Sequence, residues 1–142
     1  MSDYKSIFIS DVHLGSKGCQ SKYLYNFLKS HSCENLFLVG DIIDCWRLKS
    51  KLYWPQEHSN VIRNILSMAK KGTKVTYITG NHDDFLRIYQ PLELGNIELK
   101  EEHTYTTHLG KEFLVIHGDQ FDIVTRFGKS LSVLGDKIYT FL

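Results

Sequence analysis

Lys74-Val75-Thr76-Tyr77-Ile78-Thr79-Gly80-Asn81-His82-Asp83-Asp84 is the stretch that decides the fold. Its first half is rich in β-branched and aromatic residues, the composition of a strand. The strand breaks at a glycine, followed by an amide, an imidazole and two carboxylates. Those side chains bind divalent cations or move protons. Moving outward, the same pattern recurs three times. Ser6-Ile7-Phe8-Ile9-Ser10 runs into Asp11-Val12-His13, and Asn35-Leu36-Phe37-Leu38-Val39 into Gly40-Asp41-Ile42-Ile43-Asp44. Phe113-Leu114-Val115-Ile116 runs into His117-Gly118-Asp119. A single Asp or Asn after a strand reads as a turn residue or helix cap. Turn chemistry does not require histidine after Gly-Asn or within Asp-x-His, so the ordered set points to a site.

Helical periodicity fills the gaps. Residues 21–31 place Leu24, Phe27 and Leu28 on one face, with Ser21 as the expected N-cap. Residues 59–71 place Val61, Ile62, Ile65, Leu66 and Ala69 on one face and stop at Gly72. Strands at 5–10, 36–39 and 74–79 alternating with helices predict an α/β fold with a parallel sheet. In such sheets the loops leaving the strand carboxyl ends gather along one edge, where ligands bind. Every candidate residue lies in one of those loops. Residues 46–57 read as an irregular excursion and 84–89 as a short helix stopped by Pro91. Residues 103–108 and 112–116 read as a hairpin around Leu109-Gly110-Lys111. From Asp122 to the end, Ile123, Phe127, Leu131, Leu134, Ile138 and Phe141 recur at helical spacing.

The 142 residues suit one domain, and a formal net charge of +1 supplies no field for nucleic acid. The basic cluster Arg47-Leu48-Lys49-Ser50-Lys51 reads as a solvated loop. Cys19, Cys33 and Cys45 form no C-x-x-C pair and read as reduced thiols of a cytosolic protein, bystanders rather than ligands. The first ten residues lack the apolar core of a signal peptide. No apolar run approaches the roughly 20 residues of a spanning helix. His31, His58, His103 and His108 lack motif context and read as surface or packing residues.

Asp11 and His13 lie two apart, so an extended segment would point both to one side. Asp41 follows a glycine and has two oxygens with which to bridge two cations; Asn81 and His117 add a carbonyl oxygen and a nitrogen. This O/N set suits borderline metals such as Mn, Fe or Zn. Two such ions about 3.5–4 Å apart would clamp a phosphate and activate a water.

Asp11-Val12-His13, Gly40-Asp41-Ile42-Ile43-Asp44, Gly80-Asn81-His82-Asp83 and Ile116-His117-Gly118-Asp119 resemble the successive motifs of the calcineurin-like metallophosphoesterases. The resemblance implies an αββα sandwich with a dinuclear site at the strand ends. It implies that Asp11 and His13 bind one metal, that Asp41 bridges, and that Asn81 and His117 bind the second. It implies that His82 is a proton donor at the phosphoryl or leaving oxygen, oriented by Asp83 or Asp44. Asp11-Val12-His13-Leu14-Gly15-Ser16, Gly40 through Arg47, and His117-Gly118-Asp119-Gln120-Phe121-Asp122 are also similar to the UDP-2,3-diacylglucosamine pyrophosphatase group of lipid A synthesis, usually Mn enzymes. The best-known branch of that group carries Arg where this chain has His82. The family's closing Gly-His-x-His has no counterpart in the sequence. The resemblance therefore implies an N-terminal part of the domain with an incomplete second sheet. On this reading residues 122–142 begin a helical, substrate-facing segment, and self-association would cover its apolar face.

The leading expectation is a cytoplasmic phosphohydrolase, in peripheral contact with the inner membrane, that cleaves a pyrophosphate or phosphodiester in a phosphate-containing or lipid-linked substrate. Trp46 and Arg47 would then contact substrate, aromatic for a base or acyl chain and guanidinium for phosphate. Ordinary core packing is the competing reading for Trp46 and Trp54. A nuclease fits the same motifs but lacks a basic stripe. A non-catalytic scaffold fits the missing closing motif but leaves His82 and five candidate ligands without a purpose.

Overall fold

The computed structural model describes residues 2–122. Strand β1 (Tyr4–Ile9), helix α1 (Ser21–Ser30), strand β2 (Cys33–Val39), helices α2 (Cys45–Ser50) and α3 (Gln56–Lys70) and strand β3 (Lys74–Ile78) follow in order. A 3₁₀ segment, Asp84–Tyr89, leads to β4 (Leu92–Leu94), β5 (Ile97–Lys100), β6 (His103–Thr106) and β7 (Glu112–Val115). Five strands form one sheet in the order β1-β2-β3-β5-β4, parallel except for β4; β6 and β7 form an antiparallel pair. This is the α/β class that the strand–helix alternation predicts.

The pleat sorts side chains between two faces. Ile7, Leu36, Leu38 and Val75 point to the helices, where they meet Leu28 of α1 and Val61, Ile65 and Met68 of α3. Leu36, Val61 and Val75 are at most 1% exposed, and each such burial stabilises by about 1.5–3 kcal/mol. On the other face, Phe8 and Phe37 stack with centroids 4.6 Å apart, and Tyr105 of β6 meets both edge-on. Helices, main sheet and β6–β7 pair thus make three layers among the described residues. The apolar helix expected from Asp122 falls, from Ile123 onward, outside them.

Two local expectations are corrected, and one pair of strands is added. Residues 46–57 are irregular only over 51–55: Asp44 accepts the Arg47 backbone N–H at 2.9 Å and caps α2, and α3 begins straight after Pro55. A six-residue helix is too short to show a period, so its cap is the only local sign, and that cap, Asp44, also belongs to a motif that reads as chemistry. Ser21 is the first residue of α1 rather than its cap; Gln20 precedes it with no side-chain cap bond, and Ser21 itself is buried. Strands β4 and β5, joined across Gly95-Asn96, had no sequence reading. They are three and four residues long; β4 is exposed, and β5, with Leu99 buried, is held by parallel pairing with β3, which no local pattern reveals.

Candidate metal centre

Register brings the candidate loops together. Ile9 pairs with Leu38 and Val39 with Ile78, so β1, β2 and β3 end level. Asp11, Asp41 and Asn81 follow two or three residues later, and His117 comes two residues after β7. The first two loops stay paired beyond the strands. Asp11, His13 and Leu14 donate backbone N–H bonds to the carbonyls of Gly40, Asp41 and Ile42, and Asp44 returns one to Leu14. Leu14 and Ile42, almost wholly buried, anchor this extension.

The Asp11–His13 segment is not extended. Asp11, His13 and Asp41 have φ of 53°, 54° and 55°, and among the described residues they are the only non-glycine residues with positive φ. Such conformations cost on the order of 1–3 kcal/mol each and persist where surrounding structure enforces them. The cross-loop hydrogen bonds supply that enforcement.

Asp41, 4% exposed, is the hub. Its Oδ2 lies 3.9 Å from His13 Nε2 and 3.7 Å from His117 Nε2, while its Oδ1 accepts the His82 backbone N–H at 2.9 Å. His117 Nε2 is also 3.7 Å from Asp11 Oδ1. The far nitrogen of each ring meets a carboxylate: His13 Nδ1 is 3.2 Å from Asp44 Oδ2, and His117 Nδ1 is 3.3 Å from Asp119 Oδ1. Both imidazoles thus turn Nε2 toward Asp41 with Nδ1 pinned, the arrangement that orients a metal-binding histidine. Asp119 is in turn held by Arg87, 2.6 Å away. Two glycines make room. A Cβ on Gly40 would lie 2.2 Å from the His117 ring, and one on Gly80 would lie 2.3 Å from Asp41 Oδ1.

His82 occupies the neighbouring position. Its Nδ1 is 2.9 Å from Asp44 Oδ1, so one buried carboxylate holds two imidazoles. Burial works against the charge on Asp44, but the bonds with His82, the Arg47 N–H and His13 outweigh it and leave its pKa below the ordinary value. Trp46 stacks on the His82 ring at 4.3 Å, and His13 approaches it edge-on at 4.7 Å. Asp83 does not touch His82. Wholly buried, it accepts hydrogen bonds from the N–H groups of Ile42 and Gly80 and from the Tyr77 hydroxyl at 2.6–2.9 Å. Tyr77, buried and facing this carboxylate, has its pKa raised well above 10 and stays a donor. Asp83 therefore braces the loop, and of the two carboxylates expected near His82 only Asp44 is in contact. Asn81 is half-buried between Gly80 and His82, and its side chain makes no hydrogen bond among the described residues.

Asp119, Arg87 and Tyr77 had no assigned role in the sequence. Asp119 could have been found from His117-Gly118-Asp119, since a carboxylate two residues from a ligand histidine is a natural orienting partner. Arg87 and Tyr77 carry no such local signal. Cys45, pushed to about 11 by burial and by Asp83 and Asp44, remains a protonated thiol outside the donor cluster. Trp46 is about half exposed, so neither core packing nor burial accounts for it.

The donor set fits a divalent metal. Ligand atoms of Asp11, His13 and Asp41 lie within 4.8 Å of one another. That spread approaches what one ion spans at roughly 2.0–2.2 Å per bond. Beside the cluster opens a cleft of about 590 Å³ lined by His13, Asp44, Arg47 and His82, together with Lys17 and Lys51.

The chain is 28% identical over 125 residues to UDP-2,3-diacylglucosamine hydrolase of Porphyromonas gingivalis, matching 82% of this chain and 46% of that protein. It is 29% identical over 124 residues to the enzyme of the same name from Aliivibrio fischeri, matching 80% and 47%. It thus spans about half the length of the curated relatives it matches. Among solved structures it is similar to Pseudomonas putida nuclease MPE, with a TM-score of 0.42, 20% identity, and coverage of 72% of this chain and 50% of the nuclease. A family description, "Calcineurin-like phosphoesterase", matches residues 4–140, nearly the whole chain, and by that match the protein belongs to the calcineurin-like phosphoesterase family.

Proposed function

We propose that this chain carries the metal-binding half of a phosphohydrolase that cleaves a pyrophosphate or phosphodiester bond, with a UDP-2,3-diacylglucosamine-like molecule as the favoured substrate. The observation that carries the reading is the convergence of two imidazole Nε2 atoms on Asp41 beside an imidazole that Asp44 holds for proton transfer. The relatives' names favour the substrate.

Asp11, His13 and Asp41 would hold one divalent ion, and Asp41, Asn81 and His117 a second. Bound there, Mn, favoured over Fe or Zn, would act as a Lewis acid on a phosphoryl oxygen and lower the pKa of a water. Asp44 and Asp119 hold Nδ1 of the two imidazoles and so aim each Nε2 inward. His82 has Nδ1 committed to Asp44, so Nε2 is the atom that carries a proton to the leaving oxygen. Trp46 covers one face of that ring. Exposed Trp46 and Leu52 beside the cleft suit an acyl-bearing substrate and a protein lying on the cytoplasmic face of the inner membrane. Among the described residues no helix is long and apolar enough to cross a membrane.

The test is Mn-dependent hydrolysis by the full-length protein of a UDP-diacylglucosamine substrate and of bis(p-nitrophenyl) phosphate. The reading requires turnover that stops with a chelator and drops about 10²–10⁴-fold in His82→Ala on the natural leaving group. Turnover indifferent to both would sink it, and cleavage of DNA alone would replace the substrate with a nucleic acid.

A further inference from the structure

Among the described residues two groups of three side chains bring ligand atoms within 4.8 Å of one another, and they share His13. The first, Asp11, His13 and Asp41, belongs to the metal centre. The second is His13, Asp44 and His82, and the phosphohydrolase reading gives it no metal. Here both imidazoles turn Nδ1 to one carboxylate: His13 Nδ1 is 3.2 Å from Asp44 Oδ2, and His82 Nδ1 is 2.9 Å from Asp44 Oδ1. Atoms bound to one ion through bonds of roughly 2.0–2.2 Å stand about 3–3.5 Å apart. The two contacts therefore already have the lengths of edges of a metal polyhedron.

The surrounding chain holds the group in place. Asp44 is 3% exposed, and the Arg47 N–H fixes its Oδ1 at the start of α2. Backbone bonds tie the three loops together: Asp44 N–H donates to the Leu14 carbonyl at 2.7 Å and Cys45 N–H to the His82 carbonyl at 3.1 Å. The His13 and His82 rings meet edge-on at 4.7 Å, and Trp46 stacks on His82. Sites preformed in this way lose less freedom on binding. Two imidazole nitrogens and a carboxylate oxygen are a donor set for Zn that leaves a position for water. Both rings are partly exposed, so an ion reaches them from solvent.

We infer that His13, Asp44 and His82 form an inhibitory Zn site, separate from the positions that the catalytic ions would take. Its effect on turnover rests on the reading above that His82 gives up a proton. A neutral imidazole has one nitrogen lone pair. With Nδ1 on Zn, His13 carries its proton on Nε2 and no longer offers that atom to an ion held by Asp11 and Asp41. His82 bound through Nδ1 keeps its Nε2 proton, since losing it would leave an anionic ring. One Zn ion thus withdraws a metal ligand and the proton donor together. Zn binds a given N/O site more tightly than Mn, so it competes even while Mn is in excess.

Nitrogen NMR of the histidine side chains, with Zn titrated into the metal-free protein and calorimetry in parallel, tests the site without turnover. His13 and His82 are each expected to respond at Nδ1. His82→Phe keeps a ring against Trp46 but removes the nitrogen; it should abolish the Nδ1 response of His13 and weaken that Zn step at least about tenfold. Asp11→Asn, which touches only the first group and suits the positive φ, should leave the step within about twofold. A response confined to Nε2 of His13 and His117, with His82 silent, would overturn the site and leave Zn as a substitute for the catalytic ions. The parent's own spectrum gives that answer without any variant. Zn inhibition of Mn-supported bis(p-nitrophenyl) phosphate hydrolysis should weaken at least about tenfold in His82→Phe, and unchanged inhibition would overturn the inhibitory role. Nδ1 responses without any Mn-dependent hydrolysis would leave the site standing and overturn the reaction instead.

Discussion

The indole of Trp46 lies stacked on the imidazole of His82, with ring centroids 4.3 Å apart and planes inclined by 29°. Asp44 fixes the same imidazole through Nδ1, so the ring is held in direction by the carboxylate and in plane by the indole. Trp46→Phe preserves an aromatic face, and Trp46→Leu removes it at similar hydrophobicity. If His82 delivers a proton, Trp46→Leu lowers kcat about tenfold on a substrate with a poor leaving group, with a smaller loss when nitrophenolate departs. Trp46→Phe should restore most of the rate. A change confined to KM, the same for both leaving groups, would show Trp46 to be a substrate contact only.

Asp44 and Asp119 each hold the far nitrogen of a candidate ligand histidine. Asp44→Asn and Asp119→Asn should therefore weaken Mn binding about 10–100-fold by calorimetry although neither side chain need touch the metal. Asparagine retains the α2 cap at position 44, so the melting temperature of metal-free Asp44→Asn should stay near that of the parent. Unchanged Mn affinity in both variants would refute the orienting role.

Gly40 and Gly80 are spaces that His117 and Asp41 occupy. Gly40→Ala adds a side chain at φ +72° directly on the His117 ring. Left-handed strain alone is about 1–2 kcal/mol, and the clash adds to it. Urea denaturation should show at least that loss, together with weakened metal binding. Gly72→Ala, also at positive φ but with open space around it, should lose stability without losing metal.

His58 is buried, and burial holds its pKa below the ordinary 6.5. The unfolded chain therefore takes up the proton first as pH falls. The stability linked to His58 is complete above pH 6.5 and is lost as pH drops from there toward the folded value. Protonation at Nδ1 would also remove the acceptor for the Gly15 N–H. Denaturation midpoints compared near neutral and mildly acid pH should drop more in the parent than in His58→Asn. Equal drops would place the acid sensitivity elsewhere.

Asp41 and Asp44 are buried acids beside the half-buried His13 and the exposed Asp11. A divalent cation bound by the folded state alone stabilises by about 2.7 kcal/mol at one hundred times its Kd. Mn should raise the melting temperature, EDTA should reverse the rise, and Asp41→Asn should abolish most of it. A melting temperature indifferent to Mn would count against the donor set.

The chain order of residues was enough to determine the class of fold and the pool of candidate residues. Apolar, β-rich runs ending just before Asp11, Asp41, Asn81 and His117 are local patterns, and local patterns are legible in a sequence. Tertiary structure decided what each residue faces. The left-handed turns at Asp11, His13 and Asp41 depend on cross-loop hydrogen bonds between β1 and β2, partners nearly thirty residues apart. The same distance separates Asp44 from His13, and a longer one separates it from His82, so its double contact has no local signature. Asp83, adjacent to His82 in the chain, turns inward to satisfy buried backbone N–H groups that would otherwise be orphaned. In the sequence Asp83 and Asp44 stand as alternative partners of His82; the geometry of the loop gives that position to Asp44.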